Sequence, residues 1–233
     1  MKKIDIKQVL TEGVGIGLKN FVSLVCVVIL YVLTCWIPYL NVGTTIAMCS
    51  IPVELSKGNV INPLFIFDGK YRKNMGEFFI LVGLKSMALG PAFAMLFIPG
   101  VVLNYAWKLA IYLFLDKGVS SIDALRLSNE LTYGNKWRMF GIDAILCVAV
   151  YIVIAIILGL FDSLLGWSGF AGFLVVVVAV LYVPIVLGCN AVVYKQLAYP
   201  EAEEAPKAEE APKAEEAPKA EEAPKAEEAP KAE

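Results

Sequence analysis

Six apolar runs separated by short polar segments constrain this chain more than any other feature. They lie at about 21–40, 42–56, 77–98, 100–116, 139–161 and 168–193. A helix rises 1.5 Å per residue, so roughly 20 apolar residues cross the ~30 Å hydrocarbon layer of a bilayer. The first, third, fifth and sixth runs meet that length, whereas the second and fourth are short enough to be read as re-entrant. The rest of the composition agrees: 58% of the residues are hydrophobic and 18% charged, against roughly half and a quarter in an ordinary soluble domain.

Charge favours six crossings. With the N-terminus in the cytoplasm, the inner segments hold Lys2, Lys3, Lys7, Lys19, Lys57, Lys70, Arg72, Lys73, Lys117, Arg126, Lys136, Arg138 and Lys195. The outer turns at 38–42, 99 and 162–168 hold no Lys or Arg. Basic residues are retained on the side from which a chain inserts, and omitting either short span would spoil this partition. The expected fold is therefore an all-α integral membrane protein of six transmembrane helices in three hairpins, with short cytoplasmic amphipathic helices. Residues 1–20 form an amphipathic cytoplasmic segment, 21–198 the membrane domain and 199–233 an acidic tail. No signal peptide is expected, because the first apolar run lacks a small-x-small cleavage site. The setting is a bacterial inner membrane, with both ends of the chain in the cytoplasm.

The tail repeats EEAPKA, with twelve glutamates and five lysines after Pro200, while residues 1–200 carry fifteen Lys/Arg against ten Asp/Glu. Proline at every sixth position and the lack of an apolar face predict disorder there. Prolines 52, 91 and 184 fall inside spans and are expected to kink them, since neighbouring helices can satisfy the freed carbonyls. The run Gly13, Gly15 and Gly17 reads as a helix contact or flexible juncture, and Gly83, Gly90, Gly159, Gly172 and Gly188 as places of close helix approach.

Three corners (Lys19-Asn20-Phe21, Lys73-Asn74-Met75 and Asn135-Lys136-Trp137) each precede a hairpin and read as a weak repeat. Before the third hairpin, Ser120 or Ser121 is expected to cap a helix that ends before Gly134. Ile122, Leu125, Leu127 and Leu131 form its apolar side, and Arg126 and Glu130 pair at i,i+4.

Catalytic chemistry is poorly represented. There is no histidine, which removes Ser-His-Asp and Cys-His relays and imidazole-ligated metals. Cys26, Cys35, Cys49, Cys147 and Cys189 all lie in apolar runs without metal-site spacing. No catalytic residue, metal or cofactor is expected, and no nucleic-acid partner.

Ionisable groups within spans are costly and mark candidate sites. Lys85 and Lys108 lie about 12 Å inside the third and fourth spans, and Asp143 about half as deep in the fifth. Lys85 can snorkel towards its own cytoplasmic end, because helical side chains lean N-terminally. Lys108 leans the other way and needs a partner, which Asp143 can supply. A structural ion pair is one reading; surplus positive charge holding an anion or lipid head group is the other. Lys70, Arg72, Lys73, Asn135, Lys136, Trp137 and Arg138 are interfacial lipid-contact candidates, since amines and an indole suit the head-group layer.

Phe97-Ile98-Pro99-Gly100, Tyr105, Tyr112, Asp116, Ala124-Leu125, Ser128 and the block Gly134-Asn135-Lys136-Trp137-Arg138 with Phe140 and Asp143 resemble a bacterial family of uncharacterised polytopic membrane proteins. Its pattern runs IPG, Y, D, AL..S..L, GNKW, and the resemblance extends over roughly 43–198. Ala144-Ile145-Leu146 departs from the Gly-Trp common in that family. The resemblance, which extends distantly to the membrane domain fused to some glycerophosphodiester phosphodiesterases, implies a helical membrane fold and a membrane location and supplies no established activity. The leading functional expectation is a non-catalytic membrane module that binds lipid head groups, a protein partner or a second copy through a basic cytoplasmic face. A small-solute transporter or channel is the alternative.

Overall fold

The computed structural model describes residues 3–164 and 166–199; the expected disordered tail beyond them lies outside the described residues. Every regular element among the described residues is helical. In chain order these are α1 (Ile6–Lys19), α2 (Phe21–Thr34), α3 (Leu40–Ser56), a 3-10 segment (Pro63–Phe67), α4 (Lys70–Lys73), α5 (Met75–Met95), α6 (Phe97–Ala106), α7 (Ala110–Lys117), α8 (Ser121–Thr132), α9 (Lys136–Ile157), a π-helical stretch (Leu158–Leu164) and α10 (Ser168–Ala198).

Four stretches are long and apolar enough to cross a membrane: Met75–Met95, Phe97–Lys117, Lys136–Phe161 and Ser168–Ala198. The fourth apolar run gains length because its helix begins at Phe97, with Pro99 in the first turn, where a missing N–H costs nothing. A fifth is added if α1 and α2 are one span, bent by 75° between Lys19 and Phe21. The second run forms only the 17 residues of α3.

Large apolar side chains stay exposed along α5, α9 and the first half of α10, and around the α2–α3 and α5–α6 turns, where Trp36 reaches 88%. Exposed apolar area on that scale fits lipid contact rather than water. Burial concentrates elsewhere. One cluster joins Leu24 and Val27 of α2, Ile46 and Ile51 of α3, Ile66, and Phe78 and Leu81 of α5. The other joins Ile4, Val9, Leu109, Leu113, Met139, Ile142, Val192 and Tyr194.

The glycine run in α1 resolves into a helix contact. A Cβ on Gly13 would stand 2.6 Å from Cys189 Cα, one on Gly17 2.6 Å from the Pro184 carbonyl oxygen, and one on Gly188 2.1 Å from the Gly13 carbonyl oxygen. α1 thus lies directly on the second half of α10, and Gln196 Nε2 donates to Gln8 Oε1 at 3.0 Å further along the same pair. Gly15 has open space, as do Gly83, Gly90, Gly159 and Gly172. Of the five span glycines expected to allow close approach, only Gly188 does so. Without a neighbouring backbone, the absence of a Cβ confers no packing. Pro52, Pro91 and Pro184 lie inside α3, α5 and α10.

α8 begins as expected: Ser120 Oγ accepts the Asp123 N–H at 3.2 Å, and Arg126 Nε reaches Glu130 at 3.2 Å. The leucine side is only half-buried, with Leu125, Leu127 and Leu131 packed against the core clusters, and the deepest positions lie elsewhere. Ser121, Ala124, Ser128 and Thr132 are buried, while Ile122 is 70% exposed. The break between α6 and α7 explains this. Ala110 N–H bonds to the Trp107 carbonyl there, which leaves the Ala106 carbonyl without its helical donor. Ser128 Oγ donates to that carbonyl at 2.7 Å and accepts the Leu109 N–H at 3.2 Å. Thr132 Oγ1 lies 3.2 Å from the same carbonyl. Small hydroxyl residues at i and i+4 therefore satisfy a backbone break that apolar side chains cannot.

Candidate functional site

Three helices end together around one carboxylate. Asp116, in the last turn of α7, accepts Lys57 Nζ at 2.5 Å, just past α3, and Tyr194 Oη at 2.6 Å from α10. The Tyr199 hydroxyl, immediately after α10, donates to the same carboxylate. The Asp116 side chain is 2% exposed, so a cation and two hydroxyls together compensate its charge. The hydrogen bond that Lys57 donates to Asp116 holds its ammonium above the ordinary lysine range, against the opposing effect of burial. Gly118 ends α7 in the left-handed region at φ 61°, which turns the chain towards α8, begun at Ser121.

Beside this knot lies an open recess of about 590 Å³ between the ends of α1, α3 and α10. Its polar lining is Lys19, Asn20, Ser56, Lys57, Asn59, Lys195 and Tyr199, and no described carboxylate lines it. Lys57 is committed to Asp116, whereas Lys19 and Lys195 make no ion pair with a described residue. Two ammonium groups without an ion-pair partner among the described residues thus line one concavity, while the Asn20 and Asn59 amides donate to the Ile16 carbonyl and to Glu54, and the Tyr199 hydroxyl to Asp116. A singly or doubly negative oxygen-rich group is the ligand class that such donors fit.

The intramembrane charges divide. Lys108 Nζ contacts both Asp143 oxygens, at 2.8 and 2.7 Å, and Tyr105 Oη donates to Asp143 at 2.9 Å. The expected Lys108–Asp143 contact is present, with Tyr105 as a third member. Lys85 remains outside it, half-buried and without an ion pair to a described residue.

The Asn135–Arg138 block does not present four groups to a ligand. Asn135 is buried and its Oδ1 accepts the Ile4 N–H at 3.0 Å, while Arg138 donates to the Ile4 carbonyl at 2.6 Å. Lys136 reaches Asn129 Oδ1 at 3.0 Å. Trp137, 73% exposed, lines with Lys136 an open recess of about 170 Å³. Asn135 and Arg138 therefore tether the chain ahead of α1 to the start of α9.

Lys70 stands over the Tyr71 ring at 4.9 Å and 3.7 Å from Asp68, and Lys73 is exposed. Arg72 packs on α3, with its Cγ 2.9 Å from where a Gly43 Cβ would stand. Lys57 and Lys70 also share a smaller recess of about 280 Å³, which Glu54 lines too. The basic residues counted as one face in the sequence thus fall into separate places.

Asp116, Tyr194 and Tyr199 escape the sequence reading as a site. The visible signals are an aspartate that closes an apolar run and two tyrosines five residues apart at the end of another. Nothing local joins positions so far apart along the chain. No protein-family model matches the chain, and no curated protein or solved structure shows significant similarity to it.

Proposed function

We propose that this protein is a non-catalytic, multi-pass module of a bacterial cytoplasmic membrane that holds the anionic head group of a phospholipid. The observation that carries this reading is the recess lined by Lys19, Lys57 and Lys195 with no described carboxylate in its wall. Basic pockets between membrane helices on the cytoplasmic side are the usual seat of anionic head groups. We place both termini in the cytoplasm and propose six passes, two of them through α2 and α3, which at 14 and 17 residues are each shorter than a full span. The ends of α3, α7 and α10 gather at Asp116, as three outward-to-inward passes would require. The α2–α3 hairpin is the shallowest, because α3 has 17 residues and Arg72 packs beside its first turns.

The test is native mass spectrometry of the full chain from mild detergent, with phosphatidylglycerol and phosphatidylcholine offered together. Preferential retention of phosphatidylglycerol is expected, with a loss of about tenfold in Lys19→Gln, Lys195→Gln, corresponding to ~1.4 kcal/mol. Equal retention of the two lipids, or an unchanged preference in that variant, overturns the reading. Lys57 is left intact because its removal would strand Asp116.

A further inference from the structure

The recess opens where the acidic tail begins. Tyr199 lines it, and the next residues are Pro200, Glu201, Ala202, Glu203 and Glu204, with the first tail lysine only at Lys207. At roughly 3.3 Å per extended residue, these three glutamates lie within about 7 to 17 Å of Tyr199. Lys195 and Lys19 line the same recess as Tyr199. Charge is complementary as well, because the recess holds two ammonium groups without described partners and the sequence supplies three carboxylates within five residues of Tyr199.

We propose that the recess is a docking site for the proximal tail of the same chain, with Glu201, Glu203 and Glu204 occupying the anion position as a built-in competitor for the head group. The inference rests on the recess being an anion site, as argued above. A tethered ligand acts at an effective concentration on the order of mM, so weak contacts suffice to fill the site. The tail sets the lipid concentration at which the recess loads. It does not alter the recess itself.

Zero-length carbodiimide cross-linking of the full chain, followed by peptide mass spectrometry of the monomer band, tests this. Cross-links from Glu201, Glu203 or Glu204 to Lys19 are expected at several times the yield to Lys73 or Lys136, and are lost in the triple Glu→Gln variant. Lys195 is a weaker witness because it is near in sequence. Equal yields at Lys19 and Lys73 overturn the proposal, as do Lys19 cross-links confined to a dimer band.

Truncation after Pro200 provides the second readout. Phosphatidylglycerol retention should rise about 2- to 10-fold on removing the tethered competitor. Unchanged retention in a chain that binds phosphatidylglycerol overturns the competition and leaves the head-group site standing. Preferential Lys19 cross-links in a chain that retains no phosphatidylglycerol, truncated or not, support tail docking and overturn the head-group reading.

Discussion

At Gly188 a side chain of a single hydrogen sets how closely α1 approaches α10. A methyl group there would lie 2.1 Å from the Gly13 carbonyl oxygen, and backbone, unlike the end of a flexible side chain, cannot swing aside. Gly188→Ala should lower stability by about 1–3 kcal/mol through overpacking, read as a reduced thermal midpoint in detergent. Gly172→Ala, with nothing within 4 Å of the new methyl group, should leave it unchanged. The Lys108–Asp143 pair offers a charge-based counterpart. Lys108→Gln strips Asp143 of its cation and leaves only Tyr105, costing about 1–3 kcal/mol. Lys108→Asp with Asp143→Lys should recover part of what either single exchange loses. A double variant no better than the worse single one would show that the contact contributes nothing. Lys108 and Asp143 are legible in the sequence because a charge in an apolar run demands an explanation on its own. Asp116 is not, because it stands at the end of its run beside Lys117, where a charge is ordinary.

The α6–α7 break and α8 form one unit. The helix interrupted at 107–109 leaves the Ala106 carbonyl free, and α8 supplies the hydroxyl it needs through Ser128 and Thr132. Ser128→Ala, Thr132→Val should destabilise the protein by about 1–3 kcal/mol, the cost of an unsatisfied buried carbonyl, measured by the same thermal assay. Ile122→Ala on the exposed side of α8 should be nearly neutral. An apolar periodicity reading favours the leucine side of this helix, because such a pattern weighs hydrophobicity alone. Leu125, Leu127 and Leu131 do pack against the core, but hydrogen-bond demand from another element selects the positions buried most deeply, and nothing in the α8 sequence announces where that demand arises.

For the whole molecule the question is how the chain is threaded. In a cysteine-free background, Arg72→Cys and Trp137→Cys should resist a membrane-impermeant maleimide added from outside and react once the membrane is permeabilised. Labelling of either from outside would reverse the assigned orientation and detach the recess from the cytoplasmic leaflet. Trp36→Cys, at the most exposed apolar turn, gauges the first hairpin: outside labelling marks a full crossing, and protection a re-entrant one.

Composition and patterning alone determine that this chain is helical and lipid-facing, because helix formation and partition into a bilayer depend on local apolar length. They also single out Lys108, Asp143 and the α1 glycines, since charge or missing side chains in such runs are conspicuous. Only the tertiary structure decides which glycine meets a backbone and which positions of α8 are buried most deeply. It alone gathers Lys19, Lys57 and Lys195 around a recess fastened by Asp116. Those outcomes depend on pairings between residues far apart in the chain, whose geometry no local pattern encodes.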